Sequence, residues 1–519
     1  MGTGTLELGR AGAAPETLVP SLVINTSAAA DAAVIKCASD VTVAAPTVTQ
    51  GCFVKRGVGT MTLETTGACA FSSNAGKDVK NTAPHATALS FDPFGIPPTD
   101  NYSALTVAEG DLVLKGTGGA KYTTSGSGAV YVGMPVQGIE KSARLVVDGA
   151  EAEFKGNHFH VGSGVKTANC SQPNSEFVVT NGAAVTVTSL RVGWNNDAAA
   201  RPRVRVSGSS SSLYATEYFY LSSGSSSGLS ESDPLLLATD GASVLMPSMT
   251  DGNDNHALVL SGNSFGVFDG ALLAAKDKAE ARVRVDGNGS LVFKNGAECR
   301  VAEVRVTSDS ASVNLTFDDA SWSFGAQTEL LLTRPERVTV TARNKGIAFA
   351  PQAGTNMTFG LAISGSGDLV KRGAGTLTLS AAPTLTGVCR VEEGALALGS
   401  GVTASNLTLA GAGSLTAGTF VDTTLLAPLG DSGAVTGAVP VIAGATLTGR
   451  TRVDLARTAP VETPFPHNVR VATYTGAAPD VSQWTVVNSA TERLLATFVA
   501  VNGEILMNFQ TTGLFIIFR

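Results

Sequence analysis

Charge is scarce in this sequence. Only 15% of its 519 residues are Asp, Glu, Lys or Arg, aromatics make up 6%, and there are five histidines and three tryptophans. Disorder is nevertheless excluded, because 43% of the chain is hydrophobic and such a chain can bury enough apolar surface to offset its ordering entropy. The net charge of −7 leaves nothing to neutralise phosphates, which argues against a nucleic-acid partner. No apolar run approaches the roughly 18 residues that span a bilayer as a helix. Long stretches with apolar residues at i, i+3, i+4 and i+7 are also missing, so a helical fold is not expected. The first residues, Met1-Gly-Thr-Gly-Thr-Leu-Glu-Leu-Gly9, carry neither a basic nor an apolar leader pattern. The six cysteines (Cys37, Cys52, Cys69, Cys170, Cys299, Cys389) lack metal-binding spacing. Their plain reading is as small core residues, and pairing among Cys37, Cys52 and Cys69 is the alternative in an oxidising compartment.

What the chain does have is glycine, 58 residues of it, among abundant Ser, Thr, Ala and Val. It also has an internal repeat. Residues 53–63 read Phe-Val-Lys-Arg-Gly-Val-Gly-Thr-Met-Thr-Leu, and residues 369–379 read Leu-Val-Lys-Arg-Gly-Ala-Gly-Thr-Leu-Thr-Leu. Eight of the eleven positions are identical, and the other three exchange apolar for apolar. The pattern predicts a strand, a tight glycine turn and a second strand. Leu377 and Leu379 alternate with Thr376 and Thr378 at the period of a half-buried strand. Each copy is followed by a related tail. These tails are Leu105-Thr-Val-Ala-Glu-Gly-Asp-Leu-Val-Leu-Lys-Gly116 and Val391-Glu-Glu-Gly-Ala-Leu-Ala-Leu-Gly399. Gly4-Thr-Leu-Glu-Leu-Gly9 looks like the same tail, so the chain is expected to begin inside a repeat.

At 53–64, 105–116 and 369–399 the sequence resembles the autotransporter-associated β-strand repeat, also called the passenger-associated transport repeat. The resemblance implies a right-handed parallel β-helix of the kind displayed on bacterial surfaces. It also implies an extracellular or outer-membrane-associated location.

Four segments follow from composition and pattern. Residues 1–116 are expected to form β-helix with the first repeat and an inserted loop at 75–104, where Phe91-Asp-Pro-Phe-Gly-Ile-Pro-Pro98 cannot continue a strand. Residues 117–350 carry irregular coils. Apolar alternation there ends repeatedly in a glycine, as in Leu145–Gly149, Phe177–Gly182, Val204–Gly208, Leu236–Gly241, Leu258–Gly262 and Val283–Gly287. In Arg203-Val-Arg-Val206 and Arg282-Val-Arg-Val285 the valines should point in and the arginines out. Residues 351–455 hold the second repeat. Residues 456–519 are expected to form a C-terminal β cap or assembly unit, with a hairpin turning at Asn502-Gly503. The apolar run Leu514, Phe515, Ile516, Ile517 and Phe518 is the candidate assembly strand.

Chemistry-bearing motifs are few. His158 and His160 share one strand face but have no evident third metal ligand, so they read as outward-facing polar residues. Asp251-Gly-Asn-Asp-Asn-His256 offers oxygen ligands without the rest of a calcium loop, and reads as a solvated turn. Asp318-Asp319 and Glu392-Glu393 are adjacent acids that a strand would send to opposite faces. Gly224-Ser-Ser-Ser-Gly228 and Gly262-Asn-Ser-Phe-Gly266 match a nucleophile-elbow string, but no helical pattern follows either. No catalytic residue, metal ligand or cofactor is therefore assigned. The expected function is that of a non-enzymatic structural or adhesin-like solenoid on the cell surface or secreted, capable of self-association into fibres or a layer. Its expected partners are other copies of itself and host or matrix glycans or proteins. The alternatives are a polysaccharide lyase or glycosidase on the same solenoid, or a carbohydrate-binding rod using the 75–104 loop and Trp194.

Overall fold

A computed structural model describes residues 4–9, 12, 14–18, 23–25, 32–44, 47–50, 52–72, 103–125, 129–133, 142–155, 158–162, 174–193, 201–223, 229–248, 256–324, 328–431, 433–456, 467–487 and 495–510. It is almost entirely β, and its strands run in long parallel sheets, as a β-helix requires. The helical elements among the described residues are single turns, at Lys276–Lys278 and Pro335–Arg337. The chain divides into two compact units. One comprises Met1–Leu315 with Leu331–Arg337, the other Thr316–Leu330 with Val338–Arg519.

In the first unit each coil visits three walls in turn, here called A, B and C. One coil runs through Ala129–Val132 on wall A, Ala143–Asp148 on wall B and Glu151–Phe154 on wall C. The next runs through Phe159–Val161, Glu176–Thr180 and Ala184–Val187. Each strand pairs in parallel with its counterpart one coil away, so side chains of equal rank stack into rows. Val130, Phe159, Leu190 and Phe219 form an inward row on wall A. Leu112, Leu145, Phe177, Val204 and Leu236 form one on wall B. All nine are buried. Each contributes about 1.5–3 kcal/mol on burial, but only when the next coil covers it, which is why the fold is stable as a stack rather than coil by coil. Val204, Val206, Val283 and Val285 point inward as expected, while Arg205 is exposed. Arg282 departs from the pattern. It is outward yet buried, because it forms an ion pair with Glu303 one coil on at 2.6 Å.

The glycine-ended strings mark two different corners. Gly149, Gly182, Gly208 and Gly241 sit where wall B turns into wall C, whereas Gly262 and Gly287 sit where wall A bends into wall B. Two of these B-to-C corners place two left-handed residues in succession, Asn181 (φ 56) with Gly182 (φ 78) and Asp240 (φ 58) with Gly241 (φ 80), whereas at Gly149 (φ 63) the glycine alone is left-handed. Asx side chains tolerate that conformation and also tie neighbouring corners together. Asn181 Nδ2 donates to Asp148 at 2.6 Å, and Asn295 Nδ2 donates to Asp269 at 2.7 Å.

Coil length varies within each unit. In the first, Ile35 and Lys55 are 20 residues apart (55 − 35) and Phe159 and Leu190 are 31 apart (190 − 159); the second unit spans a similar range, from 20 between Leu369 and Cys389 (389 − 369) to 32 between Ile442 and Tyr474 (474 − 442). Aromatic rings fill its core near Trp322, which stacks on Phe317 at 5.2 Å and meets Phe359 edge-on. At its end the parallel pattern stops. Leu495–Val501 and Glu504–Gln510 form the expected antiparallel hairpin, with Asn502 (φ 51) and Gly503 (φ 79) at the turn. Its second strand also runs antiparallel to Val469–Thr475, which makes a β cap. The apolar run Leu514–Phe518, most of the 75–104 insertion and Trp194 lie outside the described residues.

Candidate functional site

The repeated motif is explained by a buried ammonium. Lys55 pairs in register with Ile35 on one side and Val107 on the other, so it occupies an inward row. Its side chain is fully buried, and Nζ donates to the carbonyl oxygens of Gly57 (2.6 Å), Gly59 (2.5 Å) and Glu109 (2.8 Å). Lys371 does the same in the second unit. It stacks between Phe349 and Val391, is 1% exposed, and donates to Arg372 O (2.9 Å), Gly373 O (2.6 Å) and Glu393 O (2.9 Å). An ammonium has three donors, and each cage supplies three acceptors. Two acceptors belong to the lysine's own turn and the third to the next coil, so each cage fastens one coil to its successor. Burial pushes both ammonium groups down to about 8. Both lysines therefore remain charged at neutral pH.

The glycine of the tail has its reason here. Gly110 and Gly394 adopt φ +66 and +69 beside the two ammonium groups. A Cβ at Gly110 would lie 2.4 Å from Gly57 O and 2.5 Å from Lys55 Nζ. At Gly394 the corresponding distances are 2.3 Å to Gly373 O and 2.7 Å to Lys371 Nζ. Only glycine fits.

A second cluster lies on wall A of the first unit. It comes from a short motif that insertions obscure in the sequence: Val-Tyr-Val-Gly133, Phe-His-Val-Gly162 and Leu-Arg-Val-Gly193. The first and third residues of each copy face the core. The second faces out, so Tyr131, His160, Arg191 and then Tyr220 form one outward row at coil spacing. Two residues earlier in each strand, a parallel row brings His158, Ser189 and Tyr218 together. Tyr131 stacks flat on His160 with ring centres 4.9 Å apart. His160 meets His158 edge-on at 5.6 Å, and His158 lies 6.3 Å from the Tyr218 ring. The Ser189 hydroxyl is 2.7 Å from His158 Nδ1. Arg191 donates from Nε (3.0 Å) and Nη2 (2.5 Å) to the Tyr218 hydroxyl oxygen, and its guanidinium lies over the Tyr218 ring at 5.5 Å. Burial, reinforced by the Arg191 charge, lowers His158 to about 4 and His160 to about 3. Both imidazoles are neutral at pH 7, leaving Arg191 as the cation of the cluster.

The two histidines thus share a face, as expected, but His160 is not an exposed polar residue. At 6% exposure it is part of a ring stack. The remaining motifs have structural roles or lie outside the described residues. Asp318 accepts from Asn344 Nδ2 at 2.6 Å in a B-to-C corner, and Asp319 pairs with Lys345 at 3.0 Å. Glu392 pairs with Arg372 at 2.9 Å, while Glu393 lends its backbone carbonyl to the cage. Ser264 is buried within the 12-residue strand Leu258–Asp269, with no helix after it. Cys37, Cys69, Cys299 and Cys389 are buried free thiols, the core reading rather than the disulfide one. Residues 251–255, Gly224–Gly228 and Cys170 are outside the described residues.

On wall B the outward charges are matched coil to coil. Arg144 sits between Asp111 (3.6 Å) and Glu176 (3.1 Å), Arg205 reaches Glu176 at 3.7 Å, and Arg203 and Arg201 both meet Asp233. Such half-exposed pairs contribute little individually, about 0–1 kcal/mol each, but alternation of sign penalises a slipped register. No family model matches the chain, and no curated protein matches it.

Proposed function

We propose that this protein is a non-enzymatic structural solenoid of the cell surface or secreted space, with an adhesin-like role. The observation that carries the reading is the use of the repeated chemistry. In both copies of the motif the lysine, the turn glycines and the Glu-Gly tail are consumed in joining one coil to the next. A device of that kind supports growth of a stiff stack and offers nothing to a substrate. This use of the motif agrees with the passenger-type repeat that the sequence resembles, and membership of that group is part of the proposal. Self-association through Leu514, Phe515, Ile516, Ile517 and Phe518 is a further part, and truncation before Leu514 should then lower the mass seen by light scattering. An unchanged mass would remove it.

Location has its own test. Intact, unpermeabilised source cells are treated with protease, and the chain is followed by immunoblot beside a cytoplasmic marker. Loss of the chain with the marker intact, or recovery of the chain from the medium, supports the reading. Full protection until the cells are lysed would overturn it.

A further inference from the structure

We infer that one wall of the second unit is an ice-binding surface. Its outward face is a two-row array of hydroxyls. The strands Thr403–Ser405, Thr419–Val421 and Thr446–Thr448 pair in parallel and in register. Ala404 and Phe420 at their centres are buried, and Leu447 continues that inward row. The flanking residues face out. Thr403, Thr419 and Thr446 therefore form one outward row, and Ser405, Val421 and Thr448 form the other. Only Val421 of these lacks a hydroxyl. The two preceding coils repeat the pattern as Ser364-Gly-Ser366 and Thr384-Leu-Thr386, with Ser364 and Thr384 in register. The next strand of each coil fixes the order. Cys389 pairs with Leu407, which places Thr403–Ser405 one coil on from Thr384–Leu385.

Spacing and chemistry together identify the ligand. Neighbouring coils lie about 4.8 Å apart, and the two rows, two residues apart along each strand, are separated by about 6.6 Å. Oxygen atoms on a prism face of hexagonal ice repeat at closely similar distances in two perpendicular directions. Threonine suits such a lattice. Its χ1 is stiff, so hydroxyl and methyl are held at fixed positions, and the hydroxyl both donates and accepts. The hydroxyls are also available. Thr403, Ser405, Thr419 and Thr446 make no side-chain hydrogen bond among the described residues, whereas Thr448 Oγ1 donates to Phe420 O at 3.5 Å. Charge, which would order water in a pattern of its own, is kept off both rows. It is not missing from the unit, since the adjacent wall carries Arg390, Arg452 and Asp454 in its outward rows. A sugar chain fits less well, because neither row holds an aromatic ring to serve as its platform. The competing occupant is a second copy packed wall to wall. The inference stands apart from the location and the adhesin-like role proposed above.

The test uses the full chain. Fluorescently labelled protein is presented to a slowly growing ice hemisphere, and recrystallisation of ice in frozen sucrose solution is followed in its presence. Uptake into the ice and arrest of crystal coarsening are expected, while an unrelated protein of similar mass and charge is excluded. Thr403→Tyr combined with Thr446→Tyr raises two rings above the array and should abolish both effects. Thr446→Lys, a single change at an exposed position, should abolish them as well and decides the matter if the double variant does not fold. Arg390→Tyr on the adjacent wall should alter neither effect. Circular dichroism of each variant shows whether the fold is retained, and light scattering gives its mass. Exclusion of the native chain from ice, undiminished activity in folded Thr446→Lys protein, or a native dimer that Thr446→Lys splits would overturn the inference.

Discussion

Replacing Lys55 with Met keeps a side chain of similar length in the inward row and removes the ammonium. Three carbonyl oxygens, those of Gly57, Gly59 and Glu109, then lose their donor in a buried place. Leaving a buried acceptor unsatisfied costs about 1–3 kcal/mol. Relief from burying the charge offsets part of the sum, so a net loss of about 3 kcal/mol is expected. The loss should be local, because a solenoid's stability is close to a sum of coil and interface contributions. Global melting is therefore a poor readout. Amide hydrogen exchange in peptides covering 55–60 and 105–112 is the suitable one, and about 100-fold faster exchange is expected there. Peptides from the hairpin at 495–510 should not change. Lys36→Met, which removes a pair with Glu7 that is more than half exposed, should alter exchange less than about twofold. Unchanged protection at 55–60 in a folded Lys55→Met protein would refute the cage as a source of stability.

Three further outcomes follow from the same physics. Gly110→Ala and Gly394→Ala each force a Cβ into backbone and ammonium atoms at positive φ, and each should cost at least about 2 kcal/mol, read as lost local exchange protection. Side-chain NMR of labelled lysine should find two groups titrating near pH 8, against the ordinary 10.5. The unfolded chain binds more protons between these values, so the cost of burying the two charges is relieved, and stability rises, as pH increases from about 8 to about 10.5, and that gain is lost as pH falls back through about 8. A thiol reagent should leave Cys37, Cys69, Cys299 and Cys389 unmodified in the native protein and label them in denaturant. All four are buried, and burial raises the Cys37, Cys299 and Cys389 thiols.

The solenoid was legible because its inward rows are built from period-two alternation and its corners from Asx-Gly and Gly. The antiparallel cap was legible for the same reason, since Asn502-Gly503 between alternating segments specifies a hairpin. Lys55 and Lys371 were legible as part of a repeat, but not as core residues. Lysine ordinarily seeks water, and one of its three acceptors sits on Glu109 or Glu393, beyond any local window. A binary pattern would have turned Val54 and Val370 inward in their place. The wall A cluster was hidden differently. His158 and His160 stood out, but Tyr131, Arg191 and Tyr218 reach them only through coil stacking, across connections of unequal length. The signal that could have found them is the Val-Gly ending shared by Tyr131, His160 and Arg191.

The role we propose is one of holding and presenting without cutting. It is tested most directly by incubating the purified chain with a panel of acidic and neutral polysaccharides at stoichiometric concentration and following their size distribution by light scattering. The account predicts unchanged chain lengths throughout, including for any polymer that binds. Shortening of a polymer by the native chain, abolished in Arg191→Gln, would contradict it and assign Arg191, Tyr218 and His158 to catalysis.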